Sequence, residues 1–381
     1  MMRAIVAGLA LIFFQLAAAH AQLFGRAGLD PSYCDQPSPR QTVVYVDDMM
    51  MVDGRTEWAL KLADKLRATL APGERVTVVR LSPASGQSSE LWSGCWPSYS
   101  DAERARLAQQ TYFFSQNPLA RLGDQQKFFL QDMGSALTQI YAAAKRPASV
   151  AAIPAANAPS KQILRALASD DGRFADSRVT IRAILYSDLA ENSDLGSVFK
   201  ALPPTPPDYG QRLGSYLRRS VFYAFGVGAD VAGDPGFLEN ARAFWGAALH
   251  AMAATVGGFG ADLNLPNTLP VRAYSYVVTL DFDGQELDGR LALLTNADGD
   301  LVDSWLGISR LSSAALSGSF RCAGQDQARC RLDATTIGGL ATNSPSETVR
   351  LAGSEASGLK GQLGVAGTHA MFNLTAAPIP E

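Results

Sequence analysis

Residues 179–193 read VTIRAILYSDLAENS, a nearly unbroken apolar run that ends in an acid and then in a cluster of acids and amides. SVFYAFGVG at 220–228 has the same texture. Runs that are apolar at every position, rather than at every second one, belong to strands covered on both faces, as in a parallel sheet packed between helices. TVVYVDD at 42–48 and RVTVVRLS at 75–82 supply two earlier strands, and SELWSGC at 89–95 reads as a short returning edge strand. Between the first two, Trp58, Leu62 and Leu66 recur at helical spacing until Pro72 and Gly73 stop the pattern.

Further helices are expected over 100–114, with Ser100 as cap, over 123–145, from Ser160 through Ile163, Leu164 and Leu167, and over 236–254. The stretch SVAAIPA, 149–155, reads equally as strand or extended loop, and ALPPTPPDYG, 201–210, is too Pro-rich to sit inside a sheet. Strands alternating with helices make residues 22–262 a doubly wound α/β domain with a mostly parallel sheet flanked by helices. After NLPNTLP the texture changes to short alternating runs separated by Gly, Asp and Asn, from YSYVVTLDFDG at 274–284 to AMFNLTA at 370–376. That spacing predicts a C-terminal all-β sandwich or barrel over 270–381.

The 381 residues, 47% hydrophobic and 18% charged, suffice for a large buried core. The N-terminal MMRAIVAGLALIFFQLAAAHAQ carries Arg3, then an apolar run, then Ala19 and Ala21 before Gln22. This is the pattern of a signal peptide over 1–21, and the apolar run is shorter than the roughly 20 residues of a membrane span. No later segment reaches transmembrane length, so the expectation is a periplasmic or secreted protein without a transmembrane anchor in its mature chain. Cleavage would leave 32 bases against 36 acids, a balance that offers no field for nucleic acid. The four cysteines, Cys34, Cys95, Cys322 and Cys330, are an even number for an oxidising compartment. Three pairings are possible; Cys322 and Cys330 flank a short polar stretch, so the economical choice joins them and leaves Cys34 with Cys95.

In an open parallel sheet, ligands bind beyond the carboxyl ends of the strands at the switch point. Asp47 and Asp48 end one strand and Asp188 ends another. If these strands are neighbours, their carboxylates meet, and acids so placed repel, share a proton or hold a cation.

VVYVDDMMM followed by a helix, and AILYSDLAENS much later, resemble the first and last metal-contact loops of von Willebrand factor A (vWA) domains, over roughly residues 41–260. LWSGCWP adds to the likeness with a bacterial extracytoplasmic branch. The resemblance implies a divalent cation, usually magnesium (Mg2+), held by Asp47, a middle-loop hydroxyl best matched by Ser160, and Asp188. Met49 and Met51, however, stand where the family has two Ser ligands, and a thioether is a poor donor to a hard cation. The site therefore reads as a degenerate metal-ion-dependent adhesion site. The expected cofactor is none, with Mg2+ as the alternative, and Asp188 is expected to orient its own loop backbone. At least one of Met49, Met50 and Met51 is expected to fill core.

Other motifs fail. FGVGAD lacks the dinucleotide glycine pattern, and DFDGQ and NADGD lack the acid at position twelve of a calcium loop, so Asp-Gly turns explain them better. No G-x-S-x-G or H-E-x-x-H is present. The expectation is a non-enzymatic binding or scaffold protein that recognises a protein partner through the sheet-top loops, with Asp48, Met49, Met51, Glu191 and Asn192 as contact residues. The competing expectation is a cell-envelope hydrolase using a metal or an Asp pair.

Overall fold

The structure, a computed structural model, describes residues 28–112, 117–146, 159–175, 179–200, 207–231, 236–309, 311, 313–323, 329–340 and 345–379. The expectations for 1–21, for 149–155 and for much of the Pro-rich loop fall outside the described residues.

The α/β domain is built on a six-stranded sheet in the order β3-β2-β1-β4-β7-β8. Its strands are β1 (Arg40–Asp47), β2 (Arg75–Ser82), β3 (Gln87–Cys95), β4 (Thr180–Tyr186), β7 (Ser220–Phe225) and β8 (Thr255–Phe259). All neighbours run parallel except β3, which returns antiparallel along β2 as the edge. The pairs β5 (Asn192–Ser193) and β6 (Gly196–Ser197) form a small separate hairpin.

Successive residues of a strand point to opposite faces, and both faces of β1 are apolar for that reason. Val43 and Tyr45 pack with the helices Ile163–Ala168 and Phe237–Ala251, whereas Val44 and Val46 pack with Glu57–Thr69 and Pro118–Ala144. Leu62 and Leu66 of the helix Glu57–Thr69 are fully buried, each contributing on the order of 1.5–3 kcal/mol relative to exposure. Ser100 caps the helix Asp101–Gln109 as expected, its hydroxyl accepting from Glu103 N. The long helix begins before Gly123, at Pro118, because Asn117 accepts from Leu119 N and proline sits in its first turn.

β8 is a strand that the sequence pattern conceals. Gly257 and Gly258 interrupt it, and glycine in a strand often marks close backbone approach. A Cβ on Gly257 would lie 2.5 Å from Cζ of Tyr223; the glycine clears a path for that ring across the edge of the sheet.

The C-terminal domain is a closed barrel of eight antiparallel strands. They are β9 (Arg272–Phe282), β10 (Gln285–Thr295), β11 (Ser304–Ile308), β12 (Ser313–Ala323), β13 (Arg329–Ile337), β14 (Glu347–Ser354), β15 (Gly358–Val365) and β16 (Met371–Pro378). β16 closes on β9 with Leu374 opposite Leu280. Along β13 the alternation is strict: Leu332 and Ala334 face the packed interior, and Arg331, Asp333 and Thr335 face outward. The interior is apolar and packed, unlike the polar lumen of a membrane barrel. The Asp283-Gly284 turn joins β9 to β10 with φ values of 50° and 78°, as an Asp-Gly hairpin requires. Cys322 and Cys330 face each other in register on β12 and β13 and are bridged, and Cys34 is bridged to Cys95.

The barrel is docked, not tethered. Ala292 and Trp305 on its wall pack into the second core of the α/β domain, together with Leu263 and Leu265 of the connecting segment. Ser313 bonds Thr255 and the Ala254 carbonyl at the start of β8.

Candidate functional site

β1 and β4 are adjacent, with Val46 opposite Tyr186, so Asp47 emerges beside Ser187 and Asp188 at the switch point of the sheet. The two distant acids converge on one rim. What lies between them is a side chain: Lys161 Nζ stands 2.7 Å from Asp47 Oδ2 and 2.6 Å from Asp188 Oδ1. Lys161 is 4% exposed, Asp188 4% and Asp47 0%.

Each member is held from several directions. Asp47 Oδ2 also accepts from Ser187 Oγ at 2.7 Å, and Oδ1 accepts from Met49 N, capping the turn Asp48–Met50. Asp188 Oδ1 accepts from Ala190 N, and its carbonyl accepts from Gly228 N. The backbone of Lys161 is pinned by reciprocal bonds with Asn192, at 3.0 and 2.9 Å. Leu189, the next residue of the late loop, takes φ 59°, and its carbonyl accepts from Trp245 Nε1 at 2.9 Å. A non-glycine residue in that region costs on the order of 1–3 kcal/mol, so the packed indole fixes the loop in a conformation it would not choose alone.

Burial alone would pull the Lys161 ammonium down, but the Asp47 and Asp188 carboxylates outweigh it and place it above the ordinary lysine range. Burial pushes Asp47 up to about 6, and the like charge of Asp188 adds to the rise while Lys161 and Ser187 oppose it. The paired carboxylates thus raise the ammonium, whereas burial, with the second carboxylate, raises Asp47 against the pull of that ammonium.

Glu191 lies behind this cluster, fully buried. Its carboxylate accepts from Leu164 N at 2.8 Å in the first turn of the helix Ile163–Ala168 and from Ser193 Oγ at 2.6 Å. Burial raises it to about 7 against those hydrogen bonds.

The expected ligand set is therefore corrected in its middle member. Ser160 is exposed, and the next residue, Lys161, turns in to meet both acids. A divalent ion between Asp47 and Asp188 would compete for the space the ammonium fills. Among the described residues, no cluster of three or more His, Cys, Asp or Glu could hold a metal.

The expected contact residues also divide. Met51 and Glu191 are fully buried, and Asp48 is nearly so, paired with Arg80 at 2.8 Å and Ser82 at 2.7 Å; none of the three presents a recognition surface, because each is consumed by core or by internal partners. Met50 and Met51 fill core, as expected of at least one methionine. Met49 and Asn192 remain partly exposed. Outside them on the rim, Asp230 receives both Arg55, at 2.7 Å, and Arg146. Counted together, three cations (Lys161, Arg55, Arg146) meet three carboxylates (Asp47, Asp188, Asp230), and the charges match. Farther along, Arg165 pairs with Asp194 at 3.0 Å in the open.

Strand order and this filled crevice define a doubly wound α/β protein with a docked antiparallel barrel. No family model matches the chain, and no curated protein gives a significant match. Among solved structures it is similar to the ArnB paralog VWA2 from Sulfolobus acidocaldarius, at 8% identity and a TM-score of 0.30, covering 84% of this chain and 66% of that one. It is also similar to the human COPII-coat protein Sec24c, at 9% identity and a TM-score of 0.31, covering 92% of this chain and 45% of that one. The chain thus spans just under two thirds and less than half of these two neighbours. The fold class rests on its own strand order.

Proposed function

We propose that the chain is an exported, non-enzymatic binding or scaffold protein whose vWA-like α/β domain recognises a protein partner through the rim of its sheet without a metal ion. The observation that carries this reading is the Lys161 ammonium bonded to both Asp47 and Asp188. Both carboxylates are buried and engaged by internal donors, which leaves no open place beside them for an activated water within hydrogen-bond reach. Recognition then falls to the accessible rim, where Met49, Arg55, Asn192 and the Arg165–Asp194 pair surround the buried cluster. The two disulfides suit an oxidising compartment. Among the described residues no helix is long and apolar enough to cross a membrane.

The test is photo-crosslinking from position 49 in envelope extract, with the double charge reversal Arg55→Glu and Arg165→Glu as comparison. A discrete adduct formed by the wild type and lost in the folded variant is expected. Capture indifferent to both reversals, or hydrolytic turnover abolished by Asp47→Asn, would overturn the proposal.

A further inference from the structure

A second buried charge cluster lies at the opposite pole of the sheet. Arg40, Thr42 and Arg182, near the starts of β1 and β4, and Tyr223, midway along β7 opposite Ile184, sit on the same face of the sheet, and Glu74 joins them just before β2. Asp47 is seven residues from Arg40 along β1, so the two clusters are about 23 Å apart at some 3.3 Å per residue. Arg40 bonds both oxygens of Glu74, at 2.9 and 3.1 Å, and Arg182 reaches Glu74 at 3.2 Å. Within the α/β domain this leaves two buried guanidiniums with one carboxylate.

The missing anion comes from the barrel. Asp303, in the β10–β11 connection, accepts from Arg40 Nη1 on one oxygen and from the Tyr223 hydroxyl on the other. The Arg40 and Arg182 side chains and both carboxylates are at most 1% exposed. Asp303 takes φ 50°, a left-handed conformation that costs a non-glycine residue and persists only where its surroundings hold it. The Tyr223 ring reaches Asp303 through the gap that Gly257 leaves.

We infer that the barrel is the built-in counter-ion donor of the α/β domain: Asp303 completes the Arg40–Glu74–Arg182 cluster, so that the two domains fold and open as one unit with the barrel fixed at the pole away from the sheet-top rim. Breaking a buried pair by removing one partner is strongly destabilising, whereas removing both is far less so. A steric contact alone would not show that asymmetry.

Hydrogen exchange read by mass spectrometry, on the full chain with disulfides intact and at rising urea, tests the inference. In the wild type, peptides from β4 and β7 are expected to open at the same urea concentration as peptides from β12 and β13. Asp303→Asn should raise the opening constants of both sets together, by roughly a hundredfold or more. Arg40→Met combined with Asp303→Leu should lie closer to wild type than either single substitution, and it remains measurable if Asp303→Asn fails to fold. Separate opening of the domains in the wild type, or losses in the double variant that simply add, would overturn the inference.

Discussion

Lys161 reaches Asp188 at 2.6 Å with both side chains almost wholly out of water. Its ammonium occupies the crevice that an open parallel sheet ordinarily offers to a ligand. Lys161→Met keeps the length of the side chain and removes the charge, leaving the Asp47 and Asp188 carboxylates facing each other. A loss of about 3–5 kcal/mol is expected, measured by urea unfolding at pH 8, and a smaller loss at pH 5.5, where one acid can take a proton. Equal losses at both pH values would show that the ammonium is not neutralising the pair.

Acid should stabilise this protein over part of the range in which many proteins weaken. Asp47 lies at about 6 and Glu191 at about 7 in the folded chain, against ordinary values near 4 when unfolded. Between those limits the folded state binds more protons, so these two groups add stability as pH falls from about 7 to about 4 and withdraw it as pH rises through their folded values. Glu191→Gln should flatten the upper part of that dependence, and thermal unfolding at half-unit pH steps would show whether it does.

Gly257→Ala places a methyl group 2.5 Å from the Tyr223 ring. Overpacking of this kind costs roughly 1–3 kcal/mol, and here it should also pull the Tyr223 hydroxyl from Asp303. Gly258→Ala is the control, because a Cβ there would lie 3.9 Å from Tyr223 Cδ1, an ordinary van der Waals contact. Unfolding midpoints should separate the two substitutions; equal effects would assign the cost to glycine backbone freedom instead.

The Cys34–Cys95 bridge spans 61 positions and ties the turn Pro31–Asp35 to the edge strand β3. Replacing both cysteines with alanine should cost about 2–4 kcal/mol. Limited proteolysis is expected to cut first between residues 28 and 39, and initial cleavage within the barrel would contradict this.

Most of the architecture was legible because it depends on local pattern. The continuous apolar runs of β1, β4 and β7 announce strands buried on both faces, and the alternating runs after residue 270 are strands of the barrel. Whether those strands would form a sandwich or a barrel depends on β16 meeting β9, a pairing between the two ends of the domain that no local pattern encodes. β8 escaped notice because Gly257 and Gly258 serve the Tyr223 ring and not strand propensity. At the site, the strand-end positions of Asp47 and Asp188 were legible, but their convergence required β1 and β4 to be neighbours, which the strand pairing supplies. Lys161 was missed by one residue, since a lysine in a loop ordinarily signals solvent.

Closure of the barrel bears on self-association. An open strand edge exposes unpaired amides and carbonyls on which another chain can template. The barrel has none, because β16 returns to β9, and it leans on the start of β8 through Ser313 and Thr255. β3 is left as the long free margin of the main sheet, and Cys95 staples its end to the N-terminal turn. Fibrous or swapped assemblies of this chain, if they form, should therefore grow from β3, and a proline at an outward position in residues 88–91 should stop them.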